Sequence, residues 1–482
     1  MPSIGELAAR TPAARRRSVD LLRAVSITAV VVGHWLIMTV ERDPSGRLTG
    51  FTALPQLTSL HPLTWLLQVM PVFFLVGGVA NAISWTRHRD RGGTASSWLL
   101  DRSARLVPPV TTLILTVAAG ALVAGWAGAP VPDVTQAVAL VVLPLWFLVV
   151  YLGVVALTPV MWRGHERFGL AVPAVLVALV VVGDAGRLWT GNEAWAFGSF
   201  AFAWVAVHQV GFAWQDGSLR LPPRRAVPLL VGSLVALVLL TGPGPYPVSM
   251  VSVPGAAIQN PSPPSVALMT LAAAQVALVA LVSGPAERWL RRRRPWAAVI
   301  GVNSVVLTVY LWHMVAALVG AFALDALGML PSWDAGSADW WLGRVPWIAA
   351  LTVVLAVLVA VFGRVEAMLL ARKISGAGSG DAGRGAGLAR SVLGDRAAVL
   401  TSAPAVAVGY LGAVLGILWL ASAGSGPHGP FVIPTGALLL FLGGAAVLRL
   451  GRSVREGLPQ QGTAPDAPDP APRRGAAPVA AA

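Results

Sequence analysis

Long apolar runs separated by short polar connections fill most of the chain between Leu21 and Leu450. A helix that crosses a bilayer needs about 20 mostly apolar residues, and these runs are continuous, whereas the strands of a barrel alternate. The pattern therefore predicts an all-α, polytopic membrane protein with about 12 transmembrane helices. The predicted helices are residues 21–40, 62–85, 106–127, 136–161, 168–186, 194–214, 226–241, 265–284, 299–321, 345–363, 398–420 and 431–450.

Composition agrees with a membrane location, because 56% of the 482 residues are hydrophobic and only 12% are charged. The chain contains no cysteine, which excludes disulfides, thiolate nucleophiles and thiolate metal ligands. No group of side chains has the spacing of a metal site, so we expect no metal.

The net charge of +14 is also typical of nucleic-acid-binding proteins, but here the basic residues sort by connection. Of the 35 Lys and Arg residues, 30 lie in alternate connections, Arg23 lies inside the first helix, and the opposite connections hold only Arg42, Arg47, Arg187 and Arg344. This asymmetry follows the positive-inside rule. We therefore expect a lipid bilayer as partner, no nucleic acid, and both termini on the cytoplasmic side of the plasma (inner) membrane.

Composition also divides the chain into a core and flanking segments. Glycine and alanine dominate residues 375–390, which is typical of a linker, and the end of the chain is rich in proline and alanine, which is typical of disorder. The helix pair between them holds almost no polar residue, so we expect it to be dispensable for chemistry. The predicted domains are a basic cytoplasmic segment (1–17), a membrane domain (18–370), a Gly/Ala-rich cytoplasmic linker (371–397), an accessory transmembrane hairpin (398–450) and a disordered cytoplasmic tail (451–482).

The first predicted helix carries three ionisable residues, Asp20, Arg23 and His34. Each such residue costs several kcal/mol inside a bilayer, so a retained one is a candidate for function. Arg23 and His34 are 11 positions apart, which places them within about 20° on the helix and about 16.5 Å along its axis. Asp20 stands one helical turn before Arg23, where opposite charges are neighbours. The alternative is that Arg23 extends to the surface and that His34 makes a packing hydrogen bond.

Two further clusters are candidates for the same polar groove. Phe73 and Phe74 precede a pair of glycines that permits close backbone approach, which suits either helix packing or a substrate channel. Arg102 and Arg105 lie one turn apart near the cytoplasmic side. Two guanidinium groups at that spacing suit a phosphate-bearing ligand, and they serve equally well as topology charges.

The ninth predicted helix contains Asn303, Ser304, Tyr310 and His313 in a span that could have been wholly apolar. His313 is predicted at a depth similar to that of His34, where it either orients His34 or binds an acceptor. His208, in the sixth predicted helix, is interpreted as a packing residue. The proline-rich exterior segment, residues 241–265, is long enough to form a structured cap.

These residues resemble the motifs of acyltransferase family 3, a family of integral membrane O-acyltransferases. The resemblance covers about residues 15–365. It departs from the family at Gly77, where a serine is usual, and in the final helix pair, which exceeds the usual ten-helix core. The matching segments are Asp20-Leu21-Leu22-Arg23-Ala24 with Gly33-His34-Trp35, Phe73-Phe74 with Gly78, Arg102-Ser103-Ala104-Arg105, Leu145-Trp146-Phe147-Leu148 and Tyr310-Leu311-Trp312-His313.

The resemblance implies an enzyme that transfers an acyl group, commonly acetyl, from cytoplasmic acetyl-CoA or another acyl-CoA to a hydroxyl of a carbohydrate, glycolipid or natural product. His34 would act as general base, or would carry the acyl group as an acyl-imidazole. A transporter or lipid flippase using the same polar groove is the alternative function. The candidate residues are His34, Arg23 and Asp20 for catalysis, Arg102, Arg105 and Arg23 for donor binding, and His313, Tyr310, Asn303, Trp146, Phe73 and Phe74 for substrate binding.

Overall fold

A computed structural model of the protein describes residues 4–12, 15–330, 333–378, 396–422 and 433–456. Within these ranges, twelve helical segments are long and apolar enough to cross a membrane. The predicted all-α, polytopic fold is confirmed.

The helices are α1 Ile4–Ala9, α2 Arg17–Ile37, α3 Thr64–Leu67, α4 Met70–Asp90, α5 Ala95–Trp126, α6 Val131–Val142, α7 Leu145–Phe168, α8 Ala171–Thr190, α9 Ser199–Asp216, α10 Pro223–Thr241, α11 Val266–Trp289, α12 Arg293–Ser304, α13 Val306–Ala326, α14 Ala338–Gly378, α15 Arg396–Thr401, α16 Ala403–Ser422 and α17 Thr435–Glu456. Two strands, β1 Met38–Arg42 and β2 Leu48–Thr52, pair antiparallel, and two 3₁₀ turns cover Thr58–Leu63 and Glu193–Ala196.

Three of the predicted helices are interrupted rather than continuous. The second span breaks between α3 and α4, the fourth breaks at Pro144 between α6 and α7, and the ninth predicted helix divides at Val305 into α12 and α13. Inside a membrane, the carbonyl groups freed by a break need other partners. The Gln275 side chain donates to the Gln68 carbonyl (2.9 Å), and the Tyr310 hydroxyl donates to the Pro144 carbonyl. The sequence concealed these breaks because apolar runs continue on both sides of each of them.

Helix α2 packs against α4, α11, α12, α13 and α14. Its buried stripe has the spacing of a helix face that is covered by other helices. The stripe consists of Asp20, Ala24, Ile27, Val31 and Trp35. The Trp35 indole donates to the His313 carbonyl (3.0 Å), and the Trp347 indole donates to the Trp35 carbonyl (3.0 Å). These bonds fix α2 against α13 and α14.

Basic residues at and just before the start of α2 hold this end of the helix. Arg15 Nε donates to Asp20 at 2.7 Å, and Arg17 Nη1 donates to the Leu290 carbonyl at 2.6 Å. Residues that the sequence interpreted as topology charges therefore also anchor α2 to the end of α11.

The β1–β2 hairpin follows α2 directly and was not predicted. Arg42 at the end of β1 forms a 2.6 Å ion pair with Asp325 at the end of α13. Arg47 forms an ion pair with Asp133 at the start of α6. The two basic residues of this connection thus tie the hairpin to two other helices.

The proline-rich segment, residues 241–265, packs as a cap on the same end of the bundle as the hairpin. Asn260 Nδ2 donates to the Pro247 carbonyl at 2.7 Å, and Met250 is fully buried. The Tyr246 hydroxyl donates to Asp184 of α8 at 2.7 Å. Burial and this bond raise the pKa of Tyr246, so its hydroxyl remains a donor at neutral pH.

Two helices continue past their predicted ends into the segments predicted to flank them. Helix α14 continues to Gly378, inside the segment predicted as a linker, and α17 ends at Glu456, inside the segment predicted as a tail. The remaining parts of those two predictions, residues 379–395 and 457–482, lie outside the described residues.

Candidate active site

The site centres on two histidines from different helices. His34 lies in the last turn of α2 and is half-buried, whereas His313 lies in α13 and is fully buried. His34 Nδ1 and His313 Nε2 are 2.9 Å apart, a hydrogen-bond distance. The structure thus places together the two histidines that the sequence predicted at similar depth.

The proton positions on this pair follow from the third member of the chain, the Tyr310 carbonyl. A carbonyl oxygen only accepts, so His313 Nδ1, 2.5 Å away, carries a proton. In a neutral imidazole the other nitrogen is then an acceptor, and His313 Nε2 accepts from His34 Nδ1–H. His34 Nε2 keeps its lone pair, and within the described ranges the only hydrogen bond of the His34 ring is the one to His313.

Neighbouring residues hold this arrangement rigid. Residue 313 receives two bonds from α2, because His34 bonds its ring and Trp35 bonds its carbonyl. The Tyr310 hydroxyl donates to the Pro144 carbonyl at the α6–α7 break, which fixes α13 on its other side. Hence the orientation of the His34 ring is determined by packed helices rather than by solvent.

Arg23 and Asp20 lie near the start of α2, about 16.5 Å along the helix from His34 by the rise per residue. Asp20 Oδ1 is 3.4 Å from Arg23 and 3.1 Å from Arg15 Nη2, so two guanidinium groups share one carboxylate. Asn303 Nδ2 donates to the Asp20 carbonyl at 2.9 Å. Asn303 therefore sits at the Arg23 end of the site, and not beside His313.

Helix α5 begins at Ala95, eleven residues before its predicted start at 106, so Arg102 and Arg105 are inside a continuous helix. Arg102 Nη2 donates to Asn81 Oδ1 at 2.9 Å and to the Ala80 carbonyl at 3.2 Å. Arg105 is exposed. One guanidinium is thus oriented by α4, and the other is exposed.

A second histidine network, which the sequence analysis missed, ends at Arg102. Since the arginine occupies Asn81 Oδ1, the amide group Nδ2 faces His208 Nε2 at 3.1 Å and donates to it. Asn81 and His208 are both fully buried. The proton of His208 is therefore on Nδ1, which is buried and has no hydrogen-bond partner among the described residues. An asparagine inside a predicted span was the available signal for this network.

Aromatic rings pack between the two networks. Phe73 meets Phe147 edge-on with ring centroids 4.8 Å apart, Phe147 meets Tyr310 edge-on at 5.4 Å, and Phe74 stacks on Trp204 at 4.8 Å. Trp146, the residue that the sequence analysis selected for substrate binding, is 37% exposed. Its neighbour Phe147 is 5% exposed and belongs to the aromatic cluster.

The glycines after Phe74 permit the close crossing of α4 and α9. A Cβ atom on Gly78 would come within 3.0 Å of Gly211 Cα and would also collide with the His208 carbonyl. Space beside Gly77 is also limited, since a Cβ atom added there would lie 3.2 Å from the Tyr151 ring, closer than an ordinary van der Waals contact. This explains the glycine pair as a packing requirement.

Among the described residues no group of three or more His, Cys, Asp or Glu side chains is arranged to hold a metal ion. The chemical resources of the site are instead an imidazole with an available lone pair, the guanidinium of Arg23, a residue about 16.5 Å away along α2 by the helix rise, the two arginines of α5, and aromatic walls. Arg23 and Arg105 lie close enough to Arg102 for their positive charges to repel its charge, so the three cations share one region.

This combination defines a class: a polytopic membrane protein with a basic imidazole inside its bundle and a cationic region toward one end. The acyltransferase-domain model of acyltransferase family 3 matches residues 16–363. That match covers more than half of the chain, and the protein belongs to this family, as the sequence motifs predicted. It is a multi-pass membrane acyltransferase. No curated protein and no solved structure matches the chain significantly.

Proposed function

We propose that the protein is an O-acyltransferase that moves an acyl group, commonly acetyl, from cytoplasmic acyl-CoA to a hydroxyl of a carbohydrate, glycolipid or natural product. The observation that carries this proposal is the chain from the Tyr310 carbonyl through His313 to His34. This chain of hydrogen bonds leaves His34 Nε2 without a proton, and a general base needs such a nitrogen to accept a proton.

The reaction requires one proton transfer in each direction. His34 Nε2 takes the proton of the acceptor hydroxyl as its oxygen bonds to the thioester carbonyl carbon. The carbon–sulfur bond then breaks, and the CoA thiolate leaves with the proton that the His34 imidazolium returns. During this cycle His34 Nδ1–H continues to donate to His313, whose buried ring orients the base and shares the transient charge.

Donor binding is assigned to the three arginines. CoA carries several phosphate charges, and a guanidinium group binds phosphate through two parallel hydrogen bonds. Arg102 is held in place by Asn81, and Arg23 is held near Asp20, so both are oriented before the donor arrives. Arg105 is exposed and would complete the phosphate contacts. The basic residues on this side of the membrane support a cytoplasmic location.

Acceptor binding is assigned to the aromatic cluster. Tyr310 and Phe73 flank Phe147. Aromatic faces suit the apolar faces of sugar rings and lipid-linked acceptors alike. Because both ring nitrogens of His313 are engaged, its role is to orient His34. Acceptor contacts by Phe74, Trp146 and Asn303 remain predictions.

Labelled acyl transfer in proteoliposomes tests the proposal. His34→Ala and His34→Gln should each reduce kcat by about 10²- to 10⁴-fold, the contribution of a positioned general base. Binding of CoA and membrane insertion should persist, because none of the three donor arginines bonds His34 and Arg23 is about 16.5 Å away along α2. His61→Ala is the matched control, since the His61 ring bonds the Leu54 carbonyl in a connection. A fully active His34→Ala enzyme would remove the catalytic assignment.

A single-turnover reaction without acceptor separates the base from a covalent carrier. With labelled acyl-CoA and no hydroxyl acceptor, general-base catalysis predicts no label on the protein. Label that remains on wild type but is absent from His34→Gln would establish an acyl-imidazole instead.

The acceptor itself can be found by comparing cells with and without the protein. Mass spectrometry of envelope and secreted metabolites should show one compound that lacks a single acyl increment. The label-transfer assay can then be repeated with that compound.

A further inference from the structure

The helix pair α16–α17 lies outside residues 16–363, the part of the chain that the family match covers. The two helices pack tightly on each other and then against α5 and α7. Arg102 and Arg105 are on α5, so the pair contacts the helix that carries the proposed donor site.

The polar contacts of the pair converge on the first turns of α5. Arg455 of α17 forms an ion pair with Asp101 and donates to the Ser97 carbonyl at 2.5 Å. From α16, the Tyr410 hydroxyl donates to the Leu99 carbonyl at 2.9 Å. The three acceptor positions are all within five residues of Arg102.

Apolar packing covers the same turns. Leu100 is 1% exposed and faces Gly451, where an added Cβ would lie 3.4 Å from Leu100 Cδ2. Tyr410 is 3% exposed. The pair thus covers α5 over the turn immediately before the donor arginine.

The start of a helix is its weakest part, because its first amide groups have no partner within the helix and the end frays. Thr94 caps α5 through its hydroxyl, which accepts from the Ser97 amide. On one side Asn81 of α4 orients the Arg102 side chain. The α16–α17 pair supplies the contacts that hold the backbone carrying Arg102.

We propose that Tyr410 and Arg455 are positioning residues for the donor site, so that the α16–α17 pair sets the affinity for acyl-CoA without taking part in acyl transfer. This inference rests on the proposed function, because it assumes that Arg102 and Arg105 bind the donor. It gives the helix pair a defined role in an enzyme whose family core ends before it.

Kinetics of the full-length protein at varied acyl-CoA concentration test this role. Tyr410→Phe and Arg455→Ala should each raise KM for acyl-CoA about 2- to 5-fold, as expected for the loss of a single polar contact, and should leave kcat unchanged. Arg452→Ala is the matched control, because Arg452 bonds Glu456 of its own helix rather than α5. It should leave both constants unchanged.

Exchanging the two charges provides a rescue experiment. In Asp101→Arg combined with Arg455→Asp, KM for acyl-CoA should return most of the way from the raised value of Arg455→Ala to the wild-type value. The reason is that the ion pair is re-formed with reversed polarity. A general loss of folding would not be repaired in this way. Hydrogen exchange of the amides at 95–102 should be faster in Arg455→Ala than in Arg452→Ala.

The outcomes separate this inference from the proposed function. If Arg102→Ala with Arg105→Ala raises KM while Tyr410→Phe and Arg455→Ala do not, the inference is wrong and the donor site stands. Faster hydrogen exchange at 95–102 without a change in KM also overturns the inference. So does a variant that loses both kcat and thermal stability. If the arginine double variant leaves KM unchanged, the donor assignment itself fails.

Discussion

Two histidine networks lie inside the bundle and differ in one respect. His34 bonds His313 and is half-buried, so that Nε2 is available to a substrate. His208 bonds Asn81 and is fully buried, and its remaining nitrogen is buried with no hydrogen-bond partner in the part of the chain that the structure describes. The first network ends in a lone pair and can accept a proton from a substrate. The second ends at the Arg102 guanidinium and can only orient it.

Burial and hydrogen bonding alone therefore do not separate the proposed catalytic histidine, His34, from His208. What distinguishes His34 is the direction of the proton chain, which starts from a carbonyl and leaves an acceptor at the open end. In the second network the series of hydrogen bonds starts from an arginine, which only donates. The acceptor nitrogen of His208 is already bonded to the Asn81 amide.

The largest expected difference between the networks is in turnover. His313→Ala should lower kcat about 10- to 100-fold, the effect of removing a group that orients a working imidazole. His208→Ala should leave kcat unchanged at saturating donor. Steady-state kinetics of both variants measure the contrast, and equal losses of kcat would mean that the two networks are not functionally distinct.

The next effect is on donor affinity. Arg102→Ala together with Arg105→Ala should raise KM for acyl-CoA about tenfold or more, because two charged hydrogen-bonding groups are lost, and should change kcat little. Arg89→Ala is the control, since Arg89 forms an exposed ion pair with Glu166 on the same side. If the control and the double variant have the same KM, both arginines would revert to topology charges.

A smaller effect is expected from the residue that joins the second network to the donor site. Asn81→Ala removes the acceptor that holds Arg102, and should raise KM for acyl-CoA a few-fold. In the Arg102→Ala background the same substitution should add almost nothing, because its effect passes through that guanidinium. Additive losses in this double-mutant cycle would contradict the positioning role of Asn81.

The smallest effect on turnover is expected at the C-terminal end. Deleting residues 391–482 should leave kcat unchanged in the folded remainder, since neither histidine network includes a residue beyond 363. The deletion should change KM in the same direction as Arg455→Ala. A truncated protein that remains folded but loses turnover would show that the helix pair takes part in the chemistry.

The sequence predicted the features that depend on repetition along the chain. Twelve spans followed from apolar length, and a similar depth of His34 and His313 followed from their positions in separate helices, although the sequence did not decide whether His313 orients His34 or binds the acceptor. Family membership followed from the spacing of Arg23 and His34 and was confirmed.

The remaining features depend on contacts between distant residues. Helix breaks were hidden because both sides are apolar, and the hairpin is fixed by ion pairs to Asp133 and Asp325, far away in sequence. Adjacent residues on a helix point about 100° apart, so the sequence could not decide whether Trp146 or Phe147 faces inward. The partner of His208 was likewise invisible before the fold brought Asn81 beside it.

The most direct test of the account is the tautomer of His34 in the resting enzyme. Nitrogen-15 NMR of histidine-labelled protein in bilayers distinguishes protonated from unprotonated ring nitrogens, and substitution of His34 assigns its signals among the seven histidines. We predict a neutral His34 with a proton on Nδ1 and none on Nε2, and loss of this fixed state in His313→Ala. A His34 ring with its proton on Nε2 would contradict the assignment of this residue as the base.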